Sequence, residues 1–473
     1  LRRQRQMCIR DRSKEILEKI WTWIHDDKHV VKGICFEIRG KIVGIAHYRT
    51  MPRPLKGEYI GFLDDLFVDP DFRRQKIGLK LINYLKSLSK LNNWDGIRWT
   101  THYSNKNAKK LYNKISESIL KEILLLVGKE NVLIDKESLI NYGHDETENL
   151  SFPPEVLVKP KDADQVAKIM KLAFKNTIPV TPIGARTGLS GGSLSIHGGI
   201  GLSMERFNKI LEIDQDNLQV HVQPGVITQV LQDEVAKKGL YYAPDPASRG
   251  SCFIGGNIAE NSGGPRAVKY GVTKDFVLNL EVVLPNGDII KTGADTLKNS
   301  TGYNLTQLMI GSEGTLGIVT KATLKLIPLP KYNKLILVPF SSAVDACSAV
   351  ASIFKAGIVP SAMEFMDRNA VDYTIKYIEE AELEMSENVK ALLLIEVDGN
   401  QPEPLMDEIQ KVLEVVEAHN SDENILFAED EAQKEKLWFI RRRIGEAVKV
   451  NSIYKEEDTV VPRYKLCLLY TSP

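Results

Sequence analysis

Glycine is spread so unevenly along this chain that its placement limits the fold before any other feature does. Of 33 glycines, 21 fall between Gly184 and Gly317, leaving 12 for the rest. A segment that dense in glycine holds many positions with φ > 0, or places where the backbone approaches something too closely for a Cβ. A large phosphate-bearing cofactor is the leading explanation, and a loop-rich all-β domain is the alternative. The glycines collect into loops: Gly184-Ala-Arg-Thr-Gly-Leu-Ser-Gly-Gly192, Ile254-Gly-Gly-Asn-Ile-Ala-Glu-Asn-Ser-Gly-Gly264 and Gly311-Ser-Glu-Gly-Thr-Leu-Gly-Ile-Val319.

Composition narrows the partners. The 473 residues amount to about three domains at ~150 residues each. Lys and Arg number 62 against 62 Asp and Glu, so there is no basic surplus for nucleic acid or an anionic membrane surface. No apolar run reaches the ~18 residues of a membrane span. The five cysteines, Cys8, Cys35, Cys252, Cys347 and Cys467, lack the paired spacing of a disulfide framework or zinc ribbon, which points to a reducing cytoplasm.

The first glycine loop ends a βαβ pattern. Strand Glu155-Val-Leu-Val-Lys159 is followed by a helix with Val166, Ile169, Met170, Leu172 and Ala173 on one face, then strand 178–183. The loop can turn its N–H groups inward as an anion nest. It is neither G-x-G-x-x-G nor a P-loop ending in G-K-[ST], so nicotinamide and nucleoside-triphosphate readings are weak. Two separated nests suit a cofactor held at its diphosphate and again along its ribityl and ring portions. Downstream lie Pro244-Asp-Pro-Ala-Ser248, Lys269-Tyr-Gly-Val272, a strand over 276–284, a Pro285-Asn-Gly-Asp288 hairpin turn, Gly302-Tyr-Asn-Leu-Thr306 and a strand over 320–327.

These motifs, in this order, resemble the PCMH-type FAD-binding domain of the vanillyl-alcohol oxidase superfamily. The closer resemblance is to the flavin subunit of glycolate oxidase and the related D-lactate and D-2-hydroxyglutarate dehydrogenases, over roughly 120–466. The resemblance implies that Pro182 to Ser193, with Gly184, Arg186, Thr187, Gly188, Leu189, Ser190, Gly191 and Gly192, wraps the FAD diphosphate. It also implies that Pro244, Asp245, Gly255, Gly256, Asn257, Asn261, Gly263, Gly264, Tyr270 and Gly271 line the flavin, and that Gly317 and Ile318 offer backbone groups to the isoalloxazine. Some members tether FAD through a loop His or Cys; no His lies in 182–193, so FAD is expected to be non-covalent, with Cys252 the residue of that type beside the second loop.

The expected fold class is α+β: a two-subdomain FAD-binding domain over 117–330 and a cap domain over 331–466. In the cap, strands 335–340 and 392–398 alternate with helices 343–355 and 404–417, which predicts a sheet with helices on one face. Leu437-Trp-Phe-Ile-Arg-Arg-Arg443 matches the family's L-W-x-x-R element at Arg441, the candidate for a substrate carboxylate; a solvated arginine face is the structural alternative. No two of the eight histidines lie two to seven residues apart except His25 and His29, so no metal site is expected. The family's H-x-G-D-G-N-x-H segment lies beyond Glu457-Asp-Thr-Val-Val-Pro-Arg463, so the cap is expected to be truncated, with negligible turnover. The implied reaction oxidises a small D-2-hydroxy acid to the 2-keto acid, with electrons passing to an unidentified acceptor such as an iron–sulfur partner subunit.

Residues 13–116 read differently. Ile34 to Tyr48 suggests two strands around Arg39-Gly40, followed by strand 59–68, the turn Arg73-Arg-Gln-Lys-Ile-Gly78 and a helix carrying Leu81, Ile82, Leu85, Leu88 and Leu91. Strand, basic-Gly turn and helix gather N–H groups and a helix dipole at one point, which suits a pyrophosphate. This stretch, with Asn105, Ala108, Leu111 and Tyr112, resembles the GNAT N-acetyltransferases. The resemblance implies acetyl-CoA on Arg73, Arg74, Gly78 and Asn105, Tyr112 as proton donor to the thiolate, and Asp64 or Asp65 near the substrate amine. Lys76 stands where the family's first glycine would be, and a helical pattern from Glu117 replaces its last two strands. A partial α/β acetyltransferase fold is therefore expected. Residues 1–12 and 467–473 look like sequencing-adaptor read-through, and the abrupt handover near 116 reads as an assembly chimera.

Overall fold

The structure, a computed structural model, describes residues 22–26, 28–53, 57–73, 75–94, 96–99, 115–147, 150–378, 383–419, 424–453 and 459–462, with Lys19 and Lys465. The chain divides into two units, residues 1–113 and 114–473.

The first unit is a four-stranded sheet with one helix laid on it. Strands β1 (Val31–Ile38), β2 (Lys41–Arg53) and β3 (Glu58–Val68) run antiparallel in that order, and β4 (Ile97–Trp99) pairs parallel with β3. The turn between β1 and β2 falls on Arg39 and Gly40, both with positive φ (49° and 76°), the conformation that matches the twist of a two-residue hairpin. Helix α1 (Ile77–Leu91) buries Ile77 and Leu81 with Val43, and Leu85 with Ala46 and Leu63, of the strands. That is the 3.6-residue stripe meeting the period-2 face of a sheet. Residues 100–114, with Asn105 and Tyr112, and Arg74 lie outside the described residues.

The second unit opens with α2 (Glu117–Val127), N-capped by Ser116, whose Oγ accepts the Ile119 N–H at 3.3 Å. Its Ile123 and Val127 enter a core with α4 (Ala163–Asn176) and a sheet ordered β5-β6-β8-β7, formed by Val132–Leu133, Val156–Val158, Ile200–Ser203 and Val180–Ile183. The short helix α3 (Lys136–Asn141) lies between β5 and β6. Strands β6, β7 and β8 are mutually parallel, and β6 (Val-Leu-Val) is buried throughout. An unbroken apolar run is what a parallel strand covered on both faces needs.

An antiparallel sheet follows, ordered β13-β12-β14-β10-β9. Its strands are β9 (Ile210–Asp214), β10 (Gln219–Val222), β12 (Val277–Val283), β13 (Ile289–Lys291) and β14 (Ile318–Lys325); β11 (Leu240–Tyr241) pairs instead with β15 (Ile327–Pro328). Helices α5 (Thr228–Ala236), α6 (Ile254–Glu260), α7 (Ala267–Tyr270) and α8 (Leu305–Met309) are interleaved with these strands. Val283 at the end of β12 and Ile318 at the start of β14 belong to the core of the neighbouring parallel sheet. The two subdomains thus share apolar contact where the glycine loops converge.

The cap sheet is ordered β17-β18-β16-β19, from β16 (Tyr332–Phe340), β17 (Ala362–Asp367), β18 (Ala391–Gly399) and β19 (Leu426–Phe427). Its helices lie on both faces, not on one as the sequence pattern suggested. Helices α9 (Ala343–Lys355) and α11 (Pro402–Glu417) cover Ile336, Val338, Leu393 and Ile395. Helices α10 (Arg368–Tyr377) and α12 (Glu431–Asn451) cover the alternate set, Leu335, Leu337, Leu392 and Leu394. The reason is legible in β18, whose residues are buried on both faces from Ala391 to Asp398; a strand apolar at both parities needs cover on both sides.

Candidate functional site

The loop after β7 departs from ordinary backbone at Arg186, a non-glycine residue with φ of +63°. The left-handed region costs an L-residue about 1–2 kcal/mol, and such strain gathers at binding sites. The Arg186 guanidinium stacks on Tyr142, 4.6 Å from the ring centroid, and Tyr142 is held by a hydrogen bond from its hydroxyl to Glu205 (2.9 Å). Yet Nε and one terminal nitrogen of Arg186 are buried with no hydrogen-bond partner, as is Ser193 Oγ. A charged donor shut from water without an acceptor costs several kcal/mol, so the geometry calls for an anion.

The cleft beside it is lined by Pro182, Gly184, Arg186, Thr187, Gly188 and Gly192 of the first loop, by Gly255, Gly256 and Asn257 of the second, and by Gly317 and Ile318 at the start of β14. At Gly184, Gly188 and Gly256 a Cβ would meet no atom within 4 Å. Elsewhere glycine permits close approach: Gly314 (φ +71°) would place a Cβ 2.5 Å from the Pro182 ring. Beneath the floor, Asn257 donates to Thr228 Oγ1 (2.7 Å), which lies 3.2 Å from Cys252 Sγ. Cys252 is buried and lines the cleft.

The remaining residues of the sequence reading do not line the cleft and belong to the layer of chain that continues from its loops. Leu189 is exposed, and Ser190 Oγ donates to Glu260 at 3.3 Å. Glu260 and Glu313 both approach the position a Cβ would take at Gly192, and burial, then the charge of Glu313, raises the Glu260 carboxyl above its usual range. Pro244 O accepts from Gln232 (3.0 Å), and Asn261 Oδ1 accepts the Lys274 N–H (2.9 Å). Gly264 (φ +157°) lies so close to Asp245 that a Cβ there would collide with its carbonyl oxygen. Asp245 accepts the Arg266 N–H (3.1 Å), and burial pushes its carboxyl up to about 6.

This layer locks onto the cap. Arg266 forks onto the buried Glu396 at 2.6 and 3.1 Å, and Trp438 Nε1 and Asn333 Nδ2 donate to the same carboxylate at 2.8 and 3.1 Å. Lys269 Nζ (2.6 Å) and the Tyr270 hydroxyl (2.8 and 2.9 Å) converge on Asp398; burial, then the Asp398 charge, raises the Tyr270 phenol. Arg441, also on α12, is bonded through Nε to Glu364 of β17 at 2.7 Å, on the same face of the cap sheet as Glu396.

Comparison with known proteins places this architecture. Residues 154–293 match the FAD binding domain family and residues 329–472 the C-terminal domain of FAD linked oxidases, while residues 3–116 match the acetyltransferase (GNAT) family. The chain is 42% identical over 369 residues to D-lactate dehydrogenase of Anaerostipes hadrus, spanning 76% of this chain and 77% of that protein. It is 38% identical over 359 residues to glycolate oxidase subunit GlcD of Bacillus subtilis, spanning 74% of each. The chain belongs to the FAD-linked oxidases.

Among solved structures, alkyldihydroxyacetonephosphate synthase shares the fold with a TM-score of 0.59 at 21% identity, over 71% of this chain and 64% of that one. p-Cresol methylhydroxylase shares it with a TM-score of 0.56 at 18% identity, over 70% of each. The FAD-linked oxidase cleft fits FAD on its own evidence: unpartnered guanidinium nitrogens for a diphosphate and open space above three glycines. Among the described residues, no group of three His, Cys, Asp or Glu could hold a metal, and no helix is long and apolar enough to cross a membrane.

In the GNAT-like unit, Lys76 has φ of +60° and begins α1 without a side-chain cap, the left-handed position that the missing glycine would favour. Arg73 Nε donates to Val68 O (3.2 Å), and Gly78 is buried in the first helical turn. Asp64 pairs with Arg49 (3.2 Å) and Asp65 with His47 (3.6 Å); burial raises the Asp64 carboxyl. Sequence reasoning missed Tyr142, Glu260, Glu313, Glu396 and Asp398. The last two carried a signal, being carboxylates inside the apolar run Leu392-Leu-Leu-Ile-Glu-Val-Asp398.

Proposed function

We propose that this chain oxidises a D-2-hydroxy acid of the glycolate or D-lactate type to the 2-keto acid, with FAD bound non-covalently in the cleft. The observation that carries the reading is Arg186: a strained, stacked arginine with two buried nitrogens free of partners at the cleft wall. FAD, when bound, supplies the two-electron acceptor for hydride from the substrate C2. The chain's own residues position it. Arg186 meets the diphosphate with Thr187 and the N–H groups of 188–192, Gly255 to Asn257 face it across the cleft, and Gly317 and Ile318 bring backbone groups from β14. Pro244, Asp245, Asn261, Gly263, Gly264, Tyr270 and Gly271 shape the flavin end from behind. The substrate carboxylate needs a cation, and α12 presents Arg441, Arg442 and Arg443 on the cap side. The reading extends to a cytoplasmic protein that passes electrons to a separate acceptor such as an iron–sulfur subunit.

Reconstitution with FAD followed by gel filtration tests this directly. Flavin absorption co-eluting at near one FAD per chain is expected, and a colourless protein overturns the proposal. Anaerobic bleaching by D-lactate or glycolate would show that these residues also complete the reaction.

A second reading concerns residues 13–116, as an N-acetyltransferase using acetyl-CoA. The β3–turn–α1 geometry favours it, with its uncapped helix start at Lys76. Titration calorimetry with acetyl-CoA tests it, and an absence of binding at millimolar ligand removes it.

A further inference from the structure

The cleft carries the wrong charge for the cofactor it fits. Its ionisable lining side chains are Asp145, Arg186, Cys252, Glu260 and Glu313, so three carboxylates and one guanidinium meet a dianionic diphosphate. Neither lysine nor histidine lines the cleft among the described residues. Like charges repel, and the repulsion strengthens as a bound ligand excludes water.

Two of the carboxylates stand at the phosphate loop itself. From Ala185 to Ser193 no backbone N–H donates a hydrogen bond among the described residues, which leaves the loop as a row of donors for an anion. A Cβ at Gly192 would lie 3.2 Å from Glu260 Oε1 and 3.7 Å from Glu313 Oε2. Ser190 Oγ donates to both oxygens of Glu260, at 3.3 and 3.5 Å. The chain's own acids thus lie where an incoming phosphate approaches. Asp145 is engaged within its own turn, accepting the Thr147 N–H at 2.9 Å.

The backbone keeps the pair together. Glu260 is the last residue of α6, at the end of a helix where negative charge is disfavoured. Glu313 has φ of +50°, and its N–H donates to Ala259 O at 3.0 Å, so a strained turn pins it against the same helix end. Burial, then the charge of Glu313, holds the Glu260 carboxyl above its ordinary range, with Asp145 adding to them and Ser190 opposing. Arg186 is the one cation among the described residues lining the cleft, and its guanidinium is stacked on Tyr142.

We infer that Glu260 and Glu313 compete with the cofactor diphosphate for the glycine loop, and that the diphosphate binds together with a proton from solvent, which settles on this pair. This rests on the flavoprotein reading of the cleft. Removing one of these acids therefore tightens cofactor binding. A carboxylate that instead accepted from ribose or ribityl hydroxyls would behave in the opposite way.

Titration calorimetry of the full chain, freed of flavin, with FAD tests it; two buffers of different ionisation enthalpy at one pH read proton uptake directly. Wild type should take up most of a proton per FAD and gain affinity as pH falls, by up to about tenfold per pH unit, the limit for one linked proton. Glu260→Gln should bind FAD about tenfold more tightly than wild type above neutral pH, with little pH dependence. Glu313→Gln should shift affinity in the same direction, and misfolding of either variant cannot produce a gain. Glu234→Gln, in a surface pair with Lys237, should change nothing. Wild-type binding without proton uptake, or Glu260→Gln binding more weakly than wild type, would overturn the inference. ADP-ribose, a diphosphate diester without flavin, separates the two readings. Its binding with proton uptake, by a chain that takes no FAD, would remove the flavin reading and leave the coupling standing. FAD bound without uptake would do the reverse, and binding of neither removes both.

Discussion

Replacing Glu396 by alanine is expected to be among the most destabilising single changes in the larger unit. The carboxylate is 1% exposed and accepts four hydrogen bonds, from both terminal nitrogens of Arg266, from Asn333 and from Trp438. Its loss leaves the Arg266 guanidinium, 18% exposed, without its ion-pair partner, along with the buried Trp438 indole N–H and the half-buried Asn333 amide. Breaking a buried pair from one side costs about 3–5 kcal/mol. At roughly 2–4 °C per kcal/mol for large domains, the unfolding midpoint should fall by at least ~6 °C. The exposed Lys168–Asp164 pair provides the contrast: Asp164→Ala should cost under about 1 kcal/mol. Because the cost is an orphaned charge, the double variant Arg266→Met/Glu396→Leu should recover part of the loss. Scanning calorimetry with a parallel urea series measures all three proteins. A Glu396→Ala midpoint as little shifted as that of Asp164→Ala would refute the view that this carboxylate ties cap to flavin domain.

Two further changes separate binding from folding. Arg186→Gly removes a left-handed arginine with unpartnered nitrogens, so the FAD-free protein should be no less stable, by up to about 1 kcal/mol more stable, while FAD affinity falls about tenfold; a urea midpoint that drops instead would make Arg186 a structural residue. Burial raises Asp245 to about 6 from an ordinary 3.8, so the folded state holds its proton more tightly than the unfolded one. Its contribution should be fully present below about pH 4 and lost as pH rises through about 6, a span of about 3 kcal/mol at 1.36 kcal/mol per unit. Asp245→Asn should remove that slope, and parallel wild-type and variant curves between pH 4 and 6 would contradict the assignment.

Local pattern was enough wherever one period governed. The apolar stripe of α4, the Arg39-Gly40 turn and the Pro285-to-Asp288 hairpin follow from spacing and turn chemistry that need no distant partner. The glycine clusters marked both sides of the cleft, because the need for a missing Cβ is written into the sequence at each position. The cap helices were placed on one face because helix periodicity does not say which side of a sheet a helix takes; the two apolar parities of β18 did, once read as a strand with two covered faces.

The family and the cofactor class were legible in the residues alone, since motif order and residue type survive in one dimension. Tertiary structure decided the pairings: which of three consecutive arginines is bonded to Glu364, which to Glu446 and which lies on Trp438 without an acid. It also decided that Glu396 and Asp398, 130 and 128 residues from Arg266 and Tyr270, tie the two domains together. Electrostatic roles depend on distances across the fold, and residues so far apart in sequence acquire those distances only when the chain closes on itself.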